Sequence, residues 1–167
     1  MIQAVTFDMD GVLVDSEEFI CEAAMRMFAE HGVAVGAEDF LPFVGAGENR
    51  YLGGVAEKHG FPIDIERDKA RTYDIYAEIV RGRLEPLPGV HEFLARCRER
   101  GLRRALATSA DEVKMLVNLR EIGVPPETFD AVVNGLDVER RKPHPDIFLA
   151  AAQKMGVPAG SCLVVED

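Results

Sequence analysis

Three stretches in the second half of the chain repeat one order: a helical run, a stopping glycine, then a short apolar run. Residues 91–100 read as a helix that stops at Gly101, with a strand expected over 103–107. Residues 111–122 stop at Gly123 ahead of a strand over 131–133. Residues 147–155 stop at Gly156 ahead of a strand over 162–165. Glycine just past a helix closes its last turn in the left-handed conformation that other residues enter at a cost. At the N-terminus residues 2–7 (IQAVTF) make one more short, β-branched, apolar run, which reads as a buried strand. Strands alternating with helices are joined by right-handed crossovers and build a parallel sheet. The expected class is therefore α/β, with a Rossmann-like parallel sheet core.

Residues 15–83 break this rhythm. They contain no clear strand; Phe19, Ala23, Met27 and Phe28 recur at helical spacing, and His31-Gly32 ends that helix. More helical pattern appears over 51–59 and 68–80, and the proline-rich run 84–89 leads back to the sheet. The expected organisation is a core made of residues 1–14 and 84–167, interrupted by an inserted α-helical cap domain at 15–83.

Composition narrows the function. The chain is 47% hydrophobic and 29% charged, as in a globular protein, and no apolar run approaches the ~20 residues that span a bilayer. The N-terminus lacks the basic-then-apolar layout of a signal peptide, because acidic residues arrive by Asp8, so cytoplasm is the expected location. A net charge of −10 argues against nucleic acid as a partner. It also requires local positive charge, from a metal or a lysine, wherever a phosphorylated substrate binds. Cys21, Cys97 and Cys162 are dispersed and odd in number, which argues against a disulfide framework or a zinc site.

In an open parallel sheet, ligands bind at the carboxyl ends of the strands. The expected strands lead, in order, into Asp8-x-Asp10-Gly11, Thr108-Ser109, the segment holding Lys142-Pro143-x-Pro145-Asp146, and Glu166-Asp167. Several carboxylates, a hydroxyl pair and one lysine are thus expected at one edge. Crowded carboxylates repel unless a cation binds, and oxygen donors without His or Cys suit a hard ion such as Mg²⁺. A carboxylate is also a covalent nucleophile in phosphoryl transfer, and Thr108 and Lys142 would then hold the equatorial phosphate oxygens. Plainer roles stand beside these. Asp8 and Asp10 could be turn residues before Gly11. Lys142 could be a solvated lysine. Ser109-x-x-Glu112 has the form of a capping box, which makes Ser109 structural and Thr108 the better phosphate ligand. Asp15, Ser16 and the histidines 31, 59 and 91 lie near helix ends, where capping or solvation outweighs chemistry.

Taken together, DMDGVLVDS at 8–16, LATSA at 106–110, KPHPD at 142–146 and VVED at 164–167 resemble the four ordered motifs of the haloacid dehalogenase superfamily. The resemblance covers essentially the whole chain and is nearest the branch of β-phosphoglucomutase and sugar-phosphate phosphatases. It implies that Asp8 is the nucleophile and a Mg²⁺ ligand. It implies that Asp10 is the general acid/base and a metal ligand through its carbonyl. Thr108, with Ser109 beside it, and Lys142 would hold the phosphoryl group. Asp167, with Glu166, would complete the metal site. The insert resembles the family's cap, a mobile lid that selects substrates, and the family's cap loop corresponds to residues 45–50. There Gly45 would allow close approach of a ligand and Arg50 could meet a second anionic group, or the stretch could be a plain turn with a solvated arginine.

The chain departs from the mutase pattern in two places. The first cap helix reads Glu18-Phe19-Ile20-Cys21 where those relatives carry a histidine, and Glu48 falls where they carry an arginine. Both departures favour hydrolysis of a small phosphorylated metabolite, a sugar phosphate, over phosphomutase activity. Asp10 speaks against a metal-independent dehalogenase and, standing where a P-type ATPase has threonine, against that class too. A phosphoacceptor switch combines similar groups, but its acidic pair and phosphoacceptor sit on different strands and it has no such insert. A non-catalytic module is the remaining rival. The position of Asp167 at the end of the sequence leads to the expectation of a longer natural protein, with weak activity in this length alone. Oligomeric state is left open.

Overall fold

The computed structural model describes all 167 residues, which fold as two compact units: Met1–Asp15 with Leu84–Asp167, and Ser16–Arg83. The first unit is built on four parallel strands, β1 (Ala4–Phe7), β2 (Arg103–Ala107), β3 (Ala131–Val133) and β4 (Cys162–Val165), in the order β3-β2-β1-β4. β1 lies inside the sheet and is buried along its whole length, which its run of Ala, Val, Thr and Phe permits. The strand begins at Ala4, two residues later than the apolar run suggests; Met1–Gln3 are exposed, although the Gln3 amide donates to the Ser161 carbonyl and the Gln3 carbonyl accepts from the Arg103 amide.

The two faces of the sheet carry different side chains. One face presents Ala4, Ala105, Ala107, Ala131 and Val133, small residues on which α7 (Asp146–Met155) lays Ile147, Ala151 and Met155. Phe7 points to the other face, where it meets Phe93 of α5 (Val90–Glu99) edge-on at 5.6 Å between ring centres. α6 (Glu112–Glu121) comes after β2. It starts one residue after Asp111, so Ser109 is too early to cap it, and the capping-box reading of Ser109-x-x-Glu112 is corrected.

The second unit is all-helical: α1 (Glu17–Glu30), α2 (Ala37–Phe40), α3 (Glu48–Lys58) and α4 (Ile65–Val80). α1 buries Ile20, Ala23, Ala24, Met27 and Phe28, a continuous stripe at helical spacing, and packs chiefly against α4. α3 and α4 each begin three residues before their apolar pattern does. Their first turns, Glu48-Asn49-Arg50 and Ile65-Glu66-Arg67, are polar or mixed, and Asp64 caps α4 by accepting from the Arg67 amide. Gly54 lets α3 approach Phe43: a Cβ there would lie 2.4 Å from the ring.

Two carboxylates tie this unit together. Asp39 accepts from Lys58 Nζ, from the Gly36 amide at 2.9 Å and contacts His59 Nε2 at 2.9 Å. Asp68 contacts Arg67 and His31. The hydrogen bond from Lys58, then that from Gly36, hold the Asp39 carboxyl far below the usual carboxylate range. A carboxyl whose folded pKa is depressed stabilises the fold above its unfolded pKa and loses that contribution as the pH falls toward the folded value. Thermal stability should therefore drop as the pH falls below about 4. In Asp39→Asn the loss should already be present at neutral pH, and the acid-dependent part should shrink, as read by melting temperature against pH.

Candidate active site

Every strand of the sheet ends toward the same edge, and the register sets which residues emerge together. Phe7 pairs with Leu106 and with Val165, so Asp8, Thr108 and Glu166 leave the sheet within about two residues of one level. The Asp8 amide extends the ladder by donating to the Val165 carbonyl at 3.0 Å, and the Thr108 amide does so toward Val133 at 3.0 Å. Backbone pairing thus fixes the roots of these side chains.

Lys142 reaches the same place from the segment between β3 and α7. Its Nζ lies 3.0 Å from Asp8 Oδ2 and 2.9 Å from Glu166 Oε1, and 5.0 Å from the centre of the Phe148 ring. The lysine segment is itself held: the His144 amide donates to the Arg141 carbonyl, and Arg140 Nε donates to Asp146 Oδ1 at 2.9 Å. Asp8 is buried, and burial pushes its carboxyl pKa up; the Lys142 charge and hydrogen bond, with a backbone bond at Met9, pull it partly back. The result is a carboxylate of raised basicity beside one cation, a fitting arrangement for attack on an electrophile.

Thr108 is buried, and its Oγ1 accepts from the Ala110 amide at 3.1 Å. That bond uses one lone pair and leaves the hydroxyl hydrogen available to donate. Ser109 contributes differently. Its carbonyl oxygen would stand 2.2 Å from a Cβ at Gly135, so the close passage of these two loops requires a glycine there.

After β1 the chain turns tightly: the amides of Leu13 and Val14 both donate to the Met9 carbonyl. Gly11 has φ +77°, and a Cβ on it would meet the Asp167 carboxyl carbon at 2.5 Å. The carboxylate of Asp167 is therefore laid against the backbone of the Asp8–Gly11 turn. The sequence leads to an expected crowd of bare carboxylates. Instead, Lys142 stands between Asp8 and Glu166, and Asp10 Oδ2 lies 3.0 Å from Lys114 Nζ. No three acidic, histidine or cysteine side chains come close enough to enclose a metal ion by themselves. The donors present are all oxygens. That suits Mg²⁺, which takes one or two carboxylates and fills its shell with waters and substrate oxygens.

Lys114 is the residue that sequence reasoning missed. It is only 4% exposed, on the same face of α6 as Met115, Asn118 and Leu119. A lysine falling within the apolar period of a helix is the signal that could have found it.

The residues expected to select substrate belong to the helical unit. Gly45 turns the chain at φ +75° with open space where a Cβ would be. Glu48 is buried in the first turn of α3. Arg50 is exposed, with Nη1 2.9 Å from Glu57 Oε2 and its guanidinium 5.0 Å over the Phe43 ring. No helix of the protein is long and apolar enough to cross a membrane.

Gly11→Ala combines a left-handed backbone with a clash against Asp167. It should destabilise the protein by about 1–2 kcal/mol in urea titration through the backbone term alone, with Asp167 displaced from the turn.

The geometry has counterparts among known proteins. A family model described as haloacid dehalogenase-like hydrolase matches residues 2–167. The chain is 44% identical, over 99% of its length, to part of the Protein SUPPRESSOR OF QUENCHING 1, chloroplastic, of Arabidopsis thaliana, and spans 16% of that protein. It is 31% identical to the Phosphorylated carbohydrates phosphatase of Thermotoga maritima, over 99% of this chain and 76% of that one. The crystal structure of CbbY from Rhodobacter sphaeroides in complex with phosphate superimposes with a TM-score of 0.90 at 25% identity, covering all of this chain and 78% of the other. With its whole length matched in sequence and its sheet matched in structure, the chain belongs to the haloacid dehalogenase-like hydrolase family.

Proposed function

We propose that this protein is a Mg²⁺-dependent phosphatase that hydrolyses a small phosphomonoester, a sugar phosphate, through a phosphoryl group carried on Asp8. The observation that carries this reading is the buried Asp8 carboxylate at the end of β1 with Lys142 Nζ 3.0 Å away. Similarity to a phosphatase of phosphorylated carbohydrates supports the substrate class.

The chain's own groups divide the reaction between them. An Asp8 Oδ attacks phosphorus and the bond from phosphorus to the leaving oxygen breaks, while Asp10 gives that oxygen a proton. A water then attacks phosphorus and passes a proton to Asp10; the bond from Asp8 to phosphorus breaks, and inorganic phosphate leaves with Asp8 restored. Lys142 and the Thr108 hydroxyl bind the nonbridging oxygens, on which charge is spread in the transition state. Asp8, the Asp10 carbonyl and Asp167 with Glu166 are the groups that would hold Mg²⁺, which when bound would supply charge neutralisation at the transferring phosphoryl group. The helical unit, through Gly45, Glu48 and Arg50, selects the organic part of the substrate. The stretch Glu18-Phe19-Ile20-Cys21 and the buried Glu48 carry no basic group at the two positions where the mutases have histidine and arginine, which favours release to water over return to a sugar.

Asp8→Asn should remove nearly all phosphate release from a sugar phosphate, and Asp10→Asn should slow it by ~10²–10⁴, the usual worth of a general acid/base. Substantial turnover by Asp8→Asn contradicts the mechanism. Chelation of divalent metal should abolish turnover and added Mg²⁺ restore it, and beryllofluoride should bind at Asp8 only when Mg²⁺ is present. Hydrolysis itself is checked with β-glucose 1-phosphate: efficient conversion to glucose 6-phosphate without net phosphate release would make the protein a mutase instead.

A further inference from the structure

Lys114 is an unusual place to find a charge. It sits on the buried face of α6 with Met115, Asn118 and Leu119, and it is 4% exposed. A lysine that only covered apolar surface would run its ammonium out to water. This one ends 3.0 Å from Asp10 Oδ2. One helical turn on, Asn118, fully buried, donates from Nδ2 to Met9 Sδ at 3.3 Å. Two polar side chains of α6 therefore hold consecutive residues of the turn that carries Asp10. Burying an ammonium is costly, and an apolar side chain of similar length would fill the same space at no such cost. What the ammonium adds is a fixed direction for the Asp10 carboxylate.

We infer that Lys114 is a positioning residue for Asp10, holding its carboxylate where it can exchange a proton with the leaving oxygen and then with water. This rests on the acid–base role given to Asp10 under the proposed function. In this role Lys114 acts through Asp10 and not on phosphorus. Its effect should appear in the steps that use the Asp10 proton, and in the first of these, departure of the organic group, it should depend on the leaving group. An alkoxide leaving from a sugar phosphate needs that proton; nitrophenolate does not.

The test compares turnover of a hexose 6-phosphate and of p-nitrophenyl phosphate by the wild type, Lys114→Met, Lys114→Arg, Asp10→Asn and the Asp10→Asn/Lys114→Met double variant, each in Mg²⁺. Lys114→Met should lower kcat/KM, which reads the steps through formation of the phosphorylated Asp8 and not its hydrolysis, by ~10- to 100-fold on the sugar phosphate, a share of the ~10²–10⁴ a general acid contributes, with a smaller loss on the aryl ester. In the Asp10→Asn background the same substitution should cost almost nothing more. Lys114→Arg keeps the charge but moves it. It keeps a cation for the Asp10 carboxylate and should show the same leaving-group preference in weaker form, which keeps the test decisive if Lys114→Met does not fold. Equal losses in kcat/KM on both substrates, or an undiminished loss in the Asp10→Asn background, overturn the inference. Asp8→Asn separates the two levels. If it stays active, the underlying mechanism fails. If it is dead and Asp10→Asn shows the leaving-group preference while neither Lys114 variant does, only the positioning role fails.

Discussion

The site depends on keeping a carboxylate charged where water is scarce. Asp8 is buried at the end of an interior strand, and burial alone pushes its carboxyl toward the neutral form. Lys142 opposes this from 3.0 Å and also contacts Glu166, so one ammonium serves two carboxylates whose strands are neighbours. The pairing of β1 with β4 brings those carboxylates side by side, and the loop before α7 delivers the cation. If either the register of β4 or the Arg140–Asp146 brace of that loop slipped, Asp8 would face desolvation without a partner.

A second lysine divides the acidic cluster further. Asp8 and Glu166 are turned to Lys142, and Asp10 to Lys114, while Asp167 lies against the Gly11 backbone. For a chain of net charge −10, this is how acidic groups can share one edge of a sheet: each is given a cation or a backbone to lean on. The arrangement leaves oxygen donors available for a hard cation without stacking bare carboxylates against each other.

Much of this is legible in the sequence because it is written in local patterns. Glycine-stopped helices and apolar runs reveal the alternation of strand and helix, and the motifs come directly after a strand or, for Lys142, in the loop that follows β3, so Asp8, Thr108, Lys142 and Glu166 can be named as candidates from the residues alone. Less is legible where geometry is nonlocal or a pattern misleads. Ser109 has a capping-box spacing, yet the helix begins later and Ser109 serves the Gly135 contact through its carbonyl. The first turns of α3 and α4 are too polar to show a helical period. Lys114 and Asp10 are separated by more than a hundred residues, and only the packing of α6 on the turn after β1 pairs them. In the helical unit, Arg50 reads as a candidate anion ligand, but its stacking on Phe43 and pairing with Glu57 come from the fold of that unit and cannot be read from residues 45–50 alone.

In the proposed mechanism phosphorus is bonded to Asp8 during turnover. An acyl phosphate is reduced by borohydride to the alcohol, so quenching the protein with borohydride during turnover of a sugar phosphate should convert Asp8 to homoserine. Peptide mass spectrometry then locates the change. Homoserine is expected at position 8, dependent on both substrate and Mg²⁺. Turnover that leaves Asp8 intact under these conditions, or reduction at a different carboxylate, would contradict it.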